Sequence, residues 1–266
     1  MAETSTTPAA APAKFTPGTP AWVDSTSTDT EKSKAFYPAL FGWTANDLGE
    51  EAGNYVMFEL EGAIVGATGP VQGEGQPAAW SVYFATDDAD ETARKVEAAG
   101  GKVIFPPLEV MDQGKMAVFA DSTGAFFSVW QSAQMPGLGR IGAPNTFGWC
   151  ELNTRGVDKA AEFYKGVFGW NAHKPDNGEG APPYTEWQLN GQSFGGGIDM
   201  ADTGMPEGIP PHWLVYFATD DIDTLAAKVA ELGGKVMLEP REYPGGKFAV
   251  VTDPVGASFG LMTPGK

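Results

Sequence analysis

Six consecutive residues, Tyr83-Phe84-Ala85-Thr86-Asp87-Asp88, return unchanged as Tyr216-Phe217-Ala218-Thr219-Asp220-Asp221, and this duplication constrains the fold more than any other feature. Other landmarks repeat around it in the same order. Phe36-Tyr37 recurs as Phe163-Tyr164, Phe41-Gly42-Trp43 as Phe168-Gly169-Trp170, and Gly100-Gly101-Lys102-Val103 as Gly233-Gly234-Lys235-Val236. Asp121-Ser122-Thr123-Gly124 is answered by Asp253-Pro254-Val255-Gly256. Similar segments in one order mean one structural plan used twice. The copies lie 127 residues apart at Trp22 and Trp149 and 133 apart at Tyr83 and Tyr216, so the second has extra residues, placed near Asn177 to Pro183. Two domains are expected, 19–132 and 146–264, which suits a chain of 266 residues. Residues 1–18, rich in Ala, Thr, Ser and Pro, read as a disordered tail, and 133–145, containing Met135-Pro136-Gly137-Leu138-Gly139-Arg140, as a linker.

Within each copy the periodicity runs strand, helix, then several strands, and that cycle repeats. Helices are expected over Thr30–Leu40, with Ala35, Phe36 and Leu40 on the apolar stripe, and over Asp88–Ala99, with Ala89, Ala93 and Val96. Asp88 and Asp221 stand where N-caps belong, and Gly100 and Gly233 where a helix stops. Tyr55–Leu60, Tyr184–Leu189, Lys115–Phe119 and Lys247–Val251 alternate as strands do. The fold class is therefore α+β, each domain a pair of βαβββ units.

Composition narrows the function. A formal charge of −17 and a pI near 4.4 repel nucleic-acid backbones and anionic lipid surfaces, so neither is an expected partner. No apolar run approaches the roughly 20 residues of a spanning helix, and a secretory leader pattern is missing, so a cytoplasmic protein is expected. One cysteine, Cys150, permits no intramolecular disulfide, and two histidines, His173 and His212, leave the chain poor in nitrogen and sulfur metal ligands.

The Phe-Tyr and Phe-Gly-Trp landmarks, the Phe-x-x-x-Asp endings at Phe84–Asp88 and Phe217–Asp221, and the Asp-x-x-Gly turns resemble those of the vicinal oxygen chelate superfamily. That group includes glyoxalase I, extradiol dioxygenases and bleomycin-resistance proteins. More narrowly, an acid two residues after the opening Trp of each tandem domain looks like paired-domain actinobacterial proteins often labelled hydroxylases, some of which accompany aromatic polyketide biosynthesis. The resemblance implies sheets curled into half-open barrels around cavities. It also implies, in metal-dependent members, His or Gln on the opening strand, His on the fifth and Glu on the last. Those positions fall here on Trp22, Ser81 and Ser128, and on Trp149, Leu214 and Gly260. Indole, aliphatic and glycine positions supply no ligand, and two serine hydroxyls are too weak alone, so neither a metal nor a cofactor is expected.

Alternation then assigns an inward face. In the first domain it carries Trp22 and Asp24, then Tyr55 and Met57, then Ser81 and Tyr83, then Ser128 and Trp130. The second offers Trp149 and Glu151, then Tyr184 and Glu186, then His212 and Tyr216, then Met262. Aromatic faces and thioethers suit a flat ligand, a few polar groups would orient it, and a carboxylate would suit an amino group. Plain core packing explains the tryptophans equally well, and a structural hydrogen bond is the alternative for Asp24 and Glu151. His212, after Pro210-Pro211, reads as a surface or interface residue more readily than as a catalytic one, and His173 as a loop residue in solvent. Cys150 should lie under a helix, inert, and Gly195-Gly196-Gly197 reads as a turn.

Three functions remain open. The first is a metal-free binding protein for a planar hydrophobic or aromatic molecule, serving sequestration, self-resistance or biosynthesis, with a biosynthetic enzyme as possible partner. The second is an enzyme using Asp24 or Glu151 as acid or base. The third is a metal enzyme with shifted ligands such as Asp24, Glu59 and His212. A monomer with pseudo-dimeric domains or a homodimer is expected.

Overall fold

A computed structural model describes residues 15–176, 183–243 and 245–263. The first half contains β1 (Pro20–Ser27), α1 (Thr30–Phe41), β2 (Thr44–Asp47), β3 (Val56–Leu60), β4 (Ala63–Pro70), β5 (Ala79–Ala85), α2 (Ala89–Ala98), β6 (Lys102–Val110), β7 (Gly114–Ala120) and β8 (Phe126–Ser132). The second contains β9 (Phe147–Thr154), α3 (Val157–Phe168), β10 (Asn171–His173), β11 (Thr185–Leu189), β12 (Gln192–Asp199), β13 (His212–Ala218), α4 (Ile222–Glu231), β14 (Lys235–Tyr243), β15 (Gly246–Thr252) and β16 (Ser258–Met262). Each half is thus a doubled βαβββ unit forming one eight-stranded sheet, in the order β2-β3-β4-β1-β5-β8-β7-β6 and its equivalent β10-β11-β12-β9-β13-β16-β15-β14. The edge strands of a sheet do not pair with each other, which leaves each barrel half open.

The expected local signals have their physical counterparts. The Asp88 and Asp221 carboxylates accept from the Glu91 and Thr224 backbone N–H at 2.9 and 3.0 Å, closing α2 and α4. Gly100 and Gly233 follow those helices with φ of 85° and 86°, the left-handed conformation that favours glycine. One stripe residue is corrected: Ala35 is exposed, and α1 buries Phe36, Tyr37, Leu40 and Phe41 instead. The reason is what the helix packs against, which is aromatic surface from the other half.

That packing is a continuous aromatic core between the outer faces of the two sheets. Phe41 meets Phe217 at 5.1 Å between ring centroids, Phe36 meets Phe259 at 6.3 Å, and Phe84 meets Trp170 and Trp213 at 4.9 and 5.3 Å. A polar pair spans it with approximate two-fold symmetry. Tyr37 donates to Asp253 Oδ2 at 2.9 Å and accepts from Trp80 Nε1, while Tyr164 donates to Asp121 Oδ2 at 3.0 Å and accepts from Trp213 Nε1. Each turn aspartate also binds its own loop: Asp121 Oδ1 accepts from the Thr123, Gly124 and Ala125 N–H groups.

The described part of the expected tail and the expected linker both pack closely on the fold. Of the expected tail, residues 1–14 lie outside the described residues, but Gly18 N–H donates to Ala85 O at 2.8 Å, its carbonyl accepts from Trp170 Nε1, and Phe15 packs on the core. In 133–145, Leu138 is buried, and Leu138 and Gly139 donate to Ala21 O and Ile64 O at 2.9 and 2.7 Å. Gly195-Gly196-Gly197 is a further correction: it lies inside β12, not in a turn. His173 ends a short strand and is exposed. The extra residues expected near Asn177 to Pro183 fall, apart from Pro183, outside the described residues.

Candidate ligand site

Residues opposite one another across a ladder share a face of the sheet. Trp22 is opposite Tyr83, and Tyr83 opposite Ser128; Asp24 is opposite Ser81 and, on its other side, Ala67, which is opposite Met57. Trp130 follows Ser128 by two and shares its face. Trp149, Tyr216 and Gly260 form the equivalent row, and Glu151 lies beside Leu214 and, through Gly196, Glu186. The register expected from alternation is the one observed, and Phe84, Phe217 and Cys150 are buried on the opposite faces.

Hydrogen bonds tie four first-domain residues into one group. Tyr55 and Tyr83 both donate to Asp24 Oδ2, at 2.7 and 3.0 Å, and neither reaches Oδ1. The Trp22 indole N–H donates to the Tyr55 hydroxyl at 3.1 Å. The second domain repeats the group: Tyr216 donates to Glu151 Oε1 at 3.1 Å, the Tyr184 hydroxyl also supports that carboxylate, and Trp149 Nε1 donates to Tyr184 at 2.9 Å. Burial pushes the Asp24 carboxyl up to about 6, although bonds from Tyr55, Tyr83 and Trp22 pull the other way. Burial raises Glu151 as well, and holds all four tyrosines well above their usual value, first by desolvation and then by the facing carboxylate. The tyrosines are donors throughout the ordinary pH range.

Ser128 bonds the Tyr83 hydroxyl and so joins the first group, while other expected residues make bonds of their own. Trp130 spends its indole N–H on Met135 O at 2.8 Å, and Met262 stands at the corresponding place in β16. Glu186 accepts from Ser193 Oγ at 2.7 Å, and the His212 ring Nδ1 lies 2.9 Å from Pro210 O. No hydrogen bond links His212 to Glu151 among the described residues.

Three glycines were missed as site residues. A Cβ on Gly69 would come within 2.9 Å of the Tyr55 ring, one on Gly196 would overlap the Tyr184 hydroxyl, and one on Gly260 the Tyr216 ring. Bare backbone is what lets the tyrosines lie down on the sheet and reach the carboxylates. The sequence does carry a trace of this, in glycines inside strand patterns, which mark close approach of other groups.

The superfamily's metal positions do not fit a divalent cation here. Of the six, only Ser81 and Ser128 bear oxygen, and a side chain at Gly260, where a closing glutamate would stand, would collide with Tyr216. Asp24 and Glu59 belong to one sheet and His212 to the other, and no group of three His, Cys, Asp or Glu able to hold a metal occurs among the described residues. Nor is any described helix long and apolar enough to cross a membrane.

The profile of the Glyoxalase/Bleomycin resistance protein/Dioxygenase superfamily matches residues 19–129 and 146–261. The chain is 39% identical over 264 residues to anthracycline biosynthesis protein DnrV of Streptomyces peucetius, covering 94% of each. It is 38% identical over 257 residues to the putative glyoxylase CFP32 of Mycobacterium tuberculosis, covering 94% of this chain and 97% of that one. Among solved structures, the Mn(II)-bound glyoxalase of Novosphingobium aromaticivorans matches with a TM-score of 0.65 at 19% identity, over 94% of this chain and 83% of that one. The dioxygenase LapB of Pseudomonas sp. KL28 matches with the same score, 0.65, at 13% identity, over 96% and 94%. Duplicated βαβββ units, two half-open sheets and a match spanning both halves converge: the chain belongs to the glyoxalase/bleomycin resistance protein/dioxygenase superfamily.

Proposed function

We propose that this protein binds a flat, hydrophobic aromatic small molecule on the inner face of its fold without a metal, and acts as an accessory or sequestering protein of natural-product biosynthesis. The observation that carries the reading is the duplicated group of Trp, Tyr, carboxylate and Tyr: indole and phenol faces for stacking, with one carboxylate fixed beneath them to orient a polar substituent. The relatives named for anthracycline biosynthesis support a polycyclic phenol or quinone as ligand class. A phenolic hydroxyl or an amino group would bond Asp24 Oδ1, the oxygen that neither tyrosine engages.

A second reading has its own support. A carboxyl near 6 exchanges its proton close to neutral pH, as a general acid or base must, so an acid–base enzyme acting on a phenolic or enolisable substrate fits Asp24. The discriminating experiment is titration of intrinsic tryptophan emission with an anthracyclinone, with and without chelator, and chromatography of the ligand afterwards. Saturable quenching indifferent to chelator, with ligand recovered unchanged, supports the binding protein. Conversion of the ligand that Asp24→Asn abolishes moves the assignment to the enzyme, and loss of binding on chelation overturns both.

A further inference from the structure

The two inner faces keep the same floor but have different walls. In the first domain, Phe105 is opposite Val118, itself opposite Ser128 and hence in the row of Tyr83 and Trp22; Leu108 is opposite Met116, itself opposite Trp130. Phe126 precedes Ser128 by two, on the same face. All three wall residues are open to solvent, Phe105 by 45%, Leu108 by 50% and Phe126 by 60%, while Asp24 on the same face is only 8% exposed. Large apolar side chains exposed on the same sheet face as a buried carboxylate, one oxygen of which neither tyrosine engages, combine an apolar surface with a charged anchor.

The second domain replaces that wall. Leu108 corresponds to Arg241, opposite Phe248, itself opposite Met262; Phe126 corresponds to Ser258; Met57 corresponds to Glu186. Phe105 becomes Leu238, which is less exposed. Ser81 and Ser128 run the other way, to Leu214 and Gly260, but both lie at the floor rather than the rim.

We propose that the flat aromatic ligand is taken by the first domain alone, seated between Phe105, Leu108 and Phe126 with Asp24 as its polar anchor, and that the second domain's polar face does not accept it. This rests on the binding function proposed above. A planar polycycle laid on the first face exchanges exposed apolar surface for contact, whereas the second would force it to desolvate the charged Arg241 and Glu186.

The test uses the full chain and quinizarin, a planar hydroxyanthraquinone, followed by tryptophan quenching and by calorimetry for stoichiometry. One equivalent per chain is expected. The pair Leu108→Arg and Phe126→Ser, which installs the second domain's residues at exposed positions, should weaken binding about tenfold or more with the circular dichroism spectrum unchanged, since each removes apolar contact. The pair Arg241→Leu and Ser258→Phe should leave that site's affinity within about twofold. Two equivalents of equal affinity, or weakening by a second-domain change alone, would overturn the assignment to the first domain while leaving the binding function intact. Absence of saturable quenching in the parent chain removes the binding function itself.

Discussion

Asp24 carries a stability cost that pH should reveal. Its folded-state value of about 6 lies above the ordinary 3.8, so the fold favours the protonated form. The associated stability is fully present below the unfolded value and is lost as pH rises through about 6, an amount of about 3 kcal/mol on the linkage relation. Asp24→Asn cannot ionise. Its stability relative to the parent should therefore climb between about pH 4 and 6.5 and then level off, and the difference between variant and parent cancels Glu151 and Asp253, which are also raised. Urea unfolding of both proteins across that range checks this; a difference that does not change with pH would mean that the carboxylate is already ionised in the folded state. At this scale the sequence was informative where a two-residue period decides the matter. Trp22 and Asp24 share a face because they lie two apart on a strand, and no partner is needed to know it. That Tyr55 and Tyr83 both close on one oxygen of Asp24 depended on segments 31 and 59 residues away, and alternation alone cannot specify it.

At the scale of the element, strand glycines and paired tyrosines set the geometry. Gly260 in β16 leaves room for the Tyr216 ring, so Gly260→Ala forces either the ring or the strand to move. A loss of about 1–3 kcal/mol is expected, as for overpacking, together with loss of the Tyr216 bond to Glu151. Thermal unfolding reads the first, and the Tyr216 ring position in a crystal structure the second; an unperturbed ring would contradict the packing argument. Tyr37 in α1 makes a different prediction. Tyr37→Phe strands Asp253 Oδ2 and the Trp80 N–H in a buried interface, at about 1–3 kcal/mol, and Tyr164→Phe should cost a similar amount through Asp121 and Trp213. Equilibrium unfolding of the single and double variants tests this, with near-additive losses expected for two separate sites. Two of the helices, α2 and α4, were legible from their caps. The buried stripe of α1 was legible at Phe36 and Leu40 but not at Ala35 or Tyr37, which can only be ranked once the surface opposite is known, and that surface belongs to the other half of the chain.

The whole molecule should fold as one unit, because a large aromatic cluster lies between the sheets rather than within either. Phe41, Trp43 and Trp80 of the first half pack on Phe217, and Phe36 and Phe41 on Phe259. Phe84 packs on Trp170 and Trp213, and Phe127 on Phe163 and Tyr164. The repeated Phe-Tyr and Phe-Gly-Trp landmarks, legible as marks of kinship, are thus contact residues of the partner half, a role no single copy of the repeat can display. The segment between the halves adds to this, since Leu138 and Gly139 bind Ala21 and Ile64 backbone while Trp43 Nε1 donates to Asn145 O. Separating the halves would expose these rings together with Tyr37 and Asp253, each a buried polar group left without its partner. The full chain should therefore unfold in a single cooperative transition by both fluorescence and far-ultraviolet circular dichroism. A fragment of residues 1–140 should bind a hydrophobic dye and lack a sharp transition, and addition of residues 141–266 should displace the dye and form a one-to-one complex by light scattering. A first-half fragment that is monodisperse, dye-free and cooperatively folded by itself would show that the interface is dispensable, and that each sheet holds its inner face open without help from the other.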